Sequence, residues 1–474
     1  MLSAIAIDAR SLAATRITLA LLVLVELFDR WPLVDVFYSD ASPYPISNIR
    51  SPLHRLACAH AWSGASAYVK ALFVVHAAAA GALALGYRTR AAALATWYLY
   101  WSLTLRNCSV AYITDRYLHF FLLLLAFLPC ARVWSADARG AATEAPHTAS
   151  LATALARLQL VWIYIDAGGG KLLDADGAWA LGAPVPALEP MLLHTRVGRT
   201  VRAILGPLVR PFSASVAWVE LLVPLIALLA AARGAPRVQA ACAATMVGLH
   251  AGIGLCVNNA AILSTVASAV WLLFCPAEVW DAIGATRPPP PKAPQSPPRV
   301  RRVTAASAVL GAFAAAVVVY QLPLDLAQTC GVDEASAGGA LLWSNLLNNR
   351  WNVFTSLETH VTWYTAPARL ADGSVVDLWA RGAPVSWDVP AAAARGGRWK
   401  SFPALVETGA DGARLWEHLC REWNDAMPTT ARRVAHFRFY LLAADLLYDG
   451  DDGAAPRYSA VRKRMLGAHE CGGE

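Results

Sequence analysis

Ser11–Phe28, SLAATRITLALLVLVELF, is an 18-residue apolar run with one arginine and one glutamate. Crossing about 30 Å of hydrocarbon as a helix takes roughly 17–25 such residues. Ser213–Ala232, SASVAWVELLVPLIALLAAA, is a second run of this kind, with Glu220 as its only charge. Further runs follow at Tyr68–Leu85, Ala91–Leu105, Tyr117–Val133, Leu151–Ile165, Val238–Val257, Ala260–Pro276 and Val303–Leu322, nine in all. The first run is followed by Glu26-Leu-Phe-Asp-Arg30 and not by a small-residue cleavage site, so it reads as a retained span.

Composition agrees with this reading. Of the 474 residues, 57% are hydrophobic and 15% charged, against about 45–50% and about 25% in soluble globular chains. A disordered chain, a coiled coil and an ordinary cytosolic enzyme are excluded. The net charge of +7 comes from arginines flanking apolar runs, with no basic stripe carrying interleaved aromatics. It sets topology and does not point to a nucleic-acid partner. The nine cysteines form no CxxC pair and no Cys/His spacing suited to a metal.

The expected fold is an all-α multi-pass membrane bundle of about nine transmembrane helices, followed by a small α+β C-terminal domain. The bundle takes residues 1–330, with a Pro-rich linker at 287–302 before the last span, and the C-terminal domain takes 331–474. In the latter, Leu370–Trp379 reads as strand, Asp-Gly turn, strand. Leu415–Trp423 and Ala431–Leu447 read as amphipathic helices. An odd span count separates the termini. The N-terminus is assigned to the cytosol and the C-terminal domain to the exoplasmic or lumenal side, where Cys58, Cys108, Cys330, Cys420 and Cys471 could form one or two disulfides.

Ionisable groups within spans are costly and so need a partner or a task. They gather at the lumenal ends: Glu26, Asp29 and Arg30, then Arg106 and Asn107, Asp115 and Arg116, Lys171, Glu220, and His250 with Asn258 and Asn259. A polar cavity open to that face would collect them; interfacial ion pairs are the plainer alternative. Lys171 stands out because only 5 of the 40 basic residues are lysine, and an amine can lose its proton when desolvated whereas a guanidinium cannot. It lies in Tyr164-Ile-Asp-Ala-Gly-Gly-Gly-Lys171 through Trp179, where three glycines permit a sharp turn. It reads either as a general base or as an interfacial lysine paired with Asp166, Asp174 or Asp176. Asp115 reads as a partner of Arg106 or Arg116 or as a catalytic carboxylate. Glu220 reads as a partner of Lys171 or Arg210 or as a functional group, and His250 as packing or as an acid. The aromatic run Trp97–Trp101 reads as core packing or as the wall of a quinone or lipid-tail pocket.

The stretch Ile165–Trp179 resembles the Ala-Gly-x-x-Lys-Leu-Asp-x-Asp-Trp signature of the vitamin K-dependent γ-carboxylases and of the wider horizontally transferred transmembrane (HTTM) group. Gly86-Tyr-Arg88, Trp97-Tyr-Leu-Tyr-Trp101, Tyr117-Leu-His-Phe-Phe121, Trp134-Ser-Ala-Asp137 and Leu249-His-Ala-Gly-Ile-Gly-Leu-Cys256 are similar to the same family in the same order. The resemblance covers roughly residues 10–280. It implies that Lys171 deprotonates reduced vitamin K or another isoprenoid quinol, whose anion reacts with oxygen and generates the base for carboxylation, a lyase reaction, of a glutamate in a protein substrate at the lumenal face. Where the carboxylases have a contributing histidine, this chain has Thr114-Asp-Arg116, so Asp115 takes that place. The resemblance also implies contact with membrane lipids and residence in the endoplasmic reticulum of a eukaryote or the inner membrane of a bacterium. The alternative function is a non-enzymatic lipid- or protein-binding membrane scaffold.

Overall fold

The structure is a computed structural model. It describes residues 2–49, 52–139, 147–285, 308, 312, 351–447 except 352, 356, 358 and 391, and 457–471. The expected ninth span, Val303–Leu322 apart from residues 308 and 312, and the Pro-rich stretch 287–302 lie outside the described residues.

The eight remaining apolar runs all form helices. These are α1 (Ala9–Arg30), α2 (Ser66–Leu85), α3 (Thr89–Arg106), α4 (Ile113–Leu125), α5 (Leu151–Leu172), then two short helices α6 (Leu188–Leu193) and α7 (Arg196–Leu205), and finally α8 (Val209–Arg233), α9 (Pro236–Cys256) and α10 (Ala261–Trp271). Neighbours pack as α1 with α2, α2 with α3, α3 with α4, α4 with α10, α10 with α9, α9 with α8 and α8 with α5. Four segments among the described residues are long and apolar enough to cross a membrane by length and composition: Ala9–Phe37, Ser66–Leu85, Arg196–Arg233 and Pro236–Cys256. Nine spans are thus not confirmed: four segments meet that test among the described residues, and the ninth expected run lies almost wholly outside them. α4 stops after 13 residues, and α10 has 11. α5 has 22 residues but carries Arg157, Gln159, Asp166 and Lys171.

Many of the largest apolar side chains face outward, among them Leu21, Val25 and Phe28 on α1, Val74 and Val75 on α2, and Leu222, Leu225, Ile226 and Leu229 on α8. Water would penalise such a band, whereas acyl chains solvate it. The polar ends of the bundle are tied differently. At one end Arg10 bonds Asp8, Asp281 and the carbonyl of Ala285, and Ile7–Asp8 pairs antiparallel with His147–Thr148. At the other end the Trp351 ring is buried against Tyr117 and Phe120.

The C-terminal domain covers that second end. Its sheet is built on a 14-residue central strand β4 (Val434–Leu447). One edge of β4 pairs with β1 (His360–Thr365) and, further along, with β2 (Pro367–Leu370), which pairs in turn with β3 (Val375–Asp377). The other edge pairs with β6 (Arg462–Glu470) and with the two-residue β5 (Arg457–Tyr458). Helices α11 (Ser401–Glu407) and α12 (Ala413–Ala426) complete the domain. Trp416 of α12 packs on Phe437 and Phe439 of β4, and a Cys420–Cys471 disulfide joins α12 to the end of β6.

β2, its turn and β3 match the expected strand–turn–strand, and α12 matches the first expected helix. Ala431–Leu447 does not: it is strand β4. The physical reason is a change of buried face along the strand. Phe437 and Phe439 are buried in the main core, whereas Leu442 and Ala444 are buried in a separate cluster with Trp363. The buried positions pass from odd to even numbers, so the two halves bury opposite faces of the sheet and the run no longer alternates throughout.

Candidate functional site

The site is set by one helix crossing. α5 meets α8 at Gly168, where a Cβ would lie 2.8 Å from both the Ala217 carbonyl oxygen and the Leu221 nitrogen. Only glycine permits backbones this close. The expected sharp turn at the three glycines is absent, because Gly168 and its neighbours sit inside α5. Their use is helix–helix approach. Lys171 lies three residues on, along the same face, and comes against Glu220 of α8. Pro224, one turn beyond, has no N–H to offer the Glu220 carbonyl and weakens the helix there.

Lys171 Nζ donates to Glu220 Oε2 at 2.7 Å, to the Val353 carbonyl at 3.0 Å and to the Ala167 carbonyl at 3.4 Å. It also stands 5.3 Å from the centre of the Trp179 ring. Lys171 is 2% exposed and Glu220 5%. Trp179 Nε1 donates to the carbonyls of Phe354 and Thr355, both at 3.0 Å, so the segment entering the C-terminal domain is fastened beside the amine. The other expected partners are elsewhere. Asp166 accepts from the Trp351 backbone N–H, and Arg210 donates to the Ala183 carbonyl.

An apolar cavity of about 220 Å³ adjoins Lys171 and Glu220, walled by Met191, Leu192, Val216, Leu249, Ile253 and Phe354. A smaller space of about 30 Å³ lies on the other side of Glu220, bounded by Tyr117, Tyr164, His250 and Trp351. That is room enough for a water. Tyr164 and His250 are hydrogen-bonded through the hydroxyl and Nε2. Lys171, Glu220 and His250 are thus brought together. Sequence reasoning missed Tyr164, Trp179 and the Val353 carbonyl. Trp179 had a signal, since it ends the quoted motif; the Val353 carbonyl, 182 residues from Lys171, had none.

Asp115 belongs to a different cluster. It is the third residue of α4 and accepts from the Tyr112 backbone N–H at 2.6 Å, capping the helix. It also accepts from Tyr100 Oη at 2.7 Å and from Arg398 at 3.1 Å, and it pairs with Arg30. Glu26 pairs with the same Arg30 and accepts from Arg398 at 3.0 Å. Two carboxylates and two guanidiniums balance in a buried quartet that links α1, α4 and the C-terminal domain. Burial opposes the charge on Arg398, yet Asp115 and Glu26 outweigh it and hold the guanidinium above its ordinary pKa. The expected partners of Asp115 are occupied otherwise: Arg106 donates to the Tyr44 and Ser39 carbonyls, and Arg116 lies over the Trp351 ring. Trp97 and Trp101 stack on each other next to His119, Trp101 buried and Trp97 partly buried against the core.

Among the described residues, no group of three His, Cys, Asp or Glu side chains could hold a metal ion. The apolar cavity with one amine and one carboxylate fits a lipophilic ligand bearing a weakly acidic or hydrogen-bonding head.

Outward apolar helices, a capped polar end and a buried lysine–glutamate pair beside an apolar cavity are the marks of an integral membrane protein with a candidate site inside its bundle. A family model described as the HTTM domain matches residues 5–251, more than half of the chain. The chain belongs to the HTTM family, which carries with it a similarity to the vitamin K-dependent carboxylases. No curated protein and no solved structure matches the chain.

Proposed function

We propose that this HTTM-family membrane protein is a quinol-dependent, carboxylase-like enzyme in which Lys171 is the base. The observation that carries the reading is the buried Nζ on the wall of a 220 Å³ apolar cavity, 2.7 Å from Glu220. A reduced isoprenoid quinone such as vitamin K hydroquinone would place its ring in that cavity. The ammonium of the resting pair first gives a proton to Glu220, from which it leaves by way of His250 and Tyr164; the neutral amine then takes the proton of the quinol O–H, so that Nζ becomes the ammonium again and the quinol oxygen the anion. Glu220 holds Nζ in place and stabilises the charge it acquires. Trp179 adds a ring face to the same cation. The bound quinol supplies the oxygen chemistry once ionised. His250 and Tyr164, across the small space from Glu220, are placed for passing the proton onward. Asp115, in the ion quartet, serves to position α4 and the C-terminal domain. The Cys420–Cys471 disulfide supports an exoplasmic or lumenal location of that domain, on the side of a protein substrate.

One observation favours a second reading, a lipid- or protein-binding scaffold. All three protons of an ammonium at Nζ already have acceptors, as in a structural ion pair. Catalysis requires the quinol oxygen to replace one of them, and the Val353 carbonyl is the one that comes from outside the bundle. The test is oxygen consumption and quinone epoxide formation by purified protein with phylloquinol or menaquinol. The enzyme reading predicts both, with loss in Lys171→Met and Lys171→Arg. Parent protein without either product, or variants indistinguishable from it, removes that reading and leaves the scaffold.

A further inference from the structure

Beside the Lys171 cavity lies a much larger cleft of about 1050 Å³, between the bundle end and the C-terminal sheet. Its polar lining includes His194, Arg199, Asn258, Asn259, His360 and Lys400, and no described residue that lines it is acidic. Met191, Val257 and Phe354 border both the cleft and the apolar cavity, so the cleft stands at the mouth of the site.

Arg199 is presented by α7, which is amphipathic. Arg196 and Arg199 lie on one face, where Arg202 is buried and paired with Glu189, while Val197 and Ile204 fall on the other. Val197 is 46% and Ile204 77% exposed, and Leu208 just beyond is 61%. A helix with arginines on one side and unburied aliphatic residues on the other lies in the membrane interface, with its cationic face at headgroup depth. The exposed apolar face and the cationic cleft are two independent observations. Together they suit a ligand with an anion at that depth and chains below it.

We propose that the cleft is a binding site for the phosphate-bearing headgroup of an anionic membrane lipid, with Arg199 and Lys400 as its cationic ligands. The lipid's chains lie along the apolar face of α7. Arg199 supplies the planar donor set suited to phosphate oxygens and Lys400 a point charge from the C-terminal domain. Asn258 and Asn259, at the end of α9, add amide donors. A headgroup so bound would bridge bundle and sheet and flank the entrance to the Lys171 cavity.

The test is native mass spectrometry of delipidated full-length protein in neutral detergent. The probes are dioleoyl phosphatidylglycerol, dioleoyl phosphatidylcholine, and inorganic phosphate as a competitor. Phosphatidylglycerol is expected to bind more tightly than phosphatidylcholine. Arg199→Gln/Lys400→Gln is expected to weaken phosphatidylglycerol about thirtyfold, the joint effect of two basic residues near an anionic surface. Arg199→Lys retains most of the preference and Arg196→Gln all of it, which separates loss of the site from loss of the fold. Millimolar inorganic phosphate leaves the lipid in place. Lys171→Met keeps the lipid preference, so this site stands or falls apart from the quinol reading. Equal binding of the two lipids, an unaffected double variant, or displacement by inorganic phosphate alone would overturn the proposal; the last would mark a site for soluble phosphate.

Discussion

Replacing Lys171 by methionine leaves Glu220 facing an apolar cavity with no counter-charge. The pair is close, at 2.7 Å, and its side chains are 1% and 7% exposed, so solvent does little to screen it. Removing one partner of a buried ion pair costs about 3–5 kcal/mol. Glu220→Leu, which strands the ammonium, falls in the same range, offset in part by the Val353 and Ala167 carbonyls that still accept from Nζ. The double variant Lys171→Met/Glu220→Leu removes both charges and fills similar volume. Such replacements are often neutral or stabilising; here the stranded Val353 carbonyl costs about 1–3 kcal/mol, so the double variant is expected within about 2 kcal/mol of the parent. Two single costs summing to about 6–10 kcal/mol against so small a double cost give a coupling energy of at least about 4 kcal/mol. The assay is reversible unfolding of the full chain in mixed detergent–SDS micelles followed by tryptophan fluorescence. Additive effects, or single costs under about 1 kcal/mol, would refute the buried pair, because that is how a solvated surface pair behaves.

Gly168→Ala puts a Cβ against the α8 backbone and is expected to destabilise by about 1–3 kcal/mol, with Gly169→Ala, which meets nothing within 4 Å, as the neutral control in the same unfolding assay. Arg398→Met leaves Glu26 and Asp115 sharing Arg30 alone and is expected to loosen the C-terminal domain from the bundle, read as faster limited proteolysis near residue 398; unchanged cleavage would contradict the quartet's role. In the C-terminal domain, burial lowers the pKa of His418, and Arg421 and Arg395 lower it further against the pull of Glu422. The folded state therefore prefers the neutral ring. Its contribution is complete above the unfolded pKa of about 6.5 and is lost as pH falls below that value. His418→Gln is expected to flatten the decline in thermal stability between pH 7 and 5; an unchanged slope would assign the decline to other groups.

Much of the bundle was legible because burial in lipid demands long apolar runs, and all eight runs before residue 280 form helices where expected. Their length as crossing elements was less legible. α4 ends at Leu125, and its run continues to Val133 as loop, since apolarity alone does not separate helix from a buried turn. Strand β4 was misread because its two halves bury opposite faces, Phe437 and Phe439 in one cluster and Leu442 and Ala444 in another, which breaks the alternation. At the site, the rarity of lysine singled out Lys171, and membrane depth singled out Glu220 and His250. Their contact could not be read, since it depends on Gly168 letting two backbones meet. Arg398 carries no local signal at all: its partners Glu26 and Asp115 lie 372 and 283 residues away, and only the docking of the sheet domain joins them.

The central claim, that Lys171 accepts a proton from a lipophilic acid in the adjoining cavity, is tested most directly by anaerobic ultraviolet difference spectroscopy of phylloquinol bound to the full-length protein. Without oxygen the reaction stops at proton transfer, and an ionised phenol absorbs at longer wavelength than its acid. The account predicts a red-shifted band for quinol bound to the parent protein and none for quinol bound to Lys171→Met. Bound quinol that keeps the spectrum of the neutral form in the parent, or a red shift that survives in Lys171→Met, would contradict it.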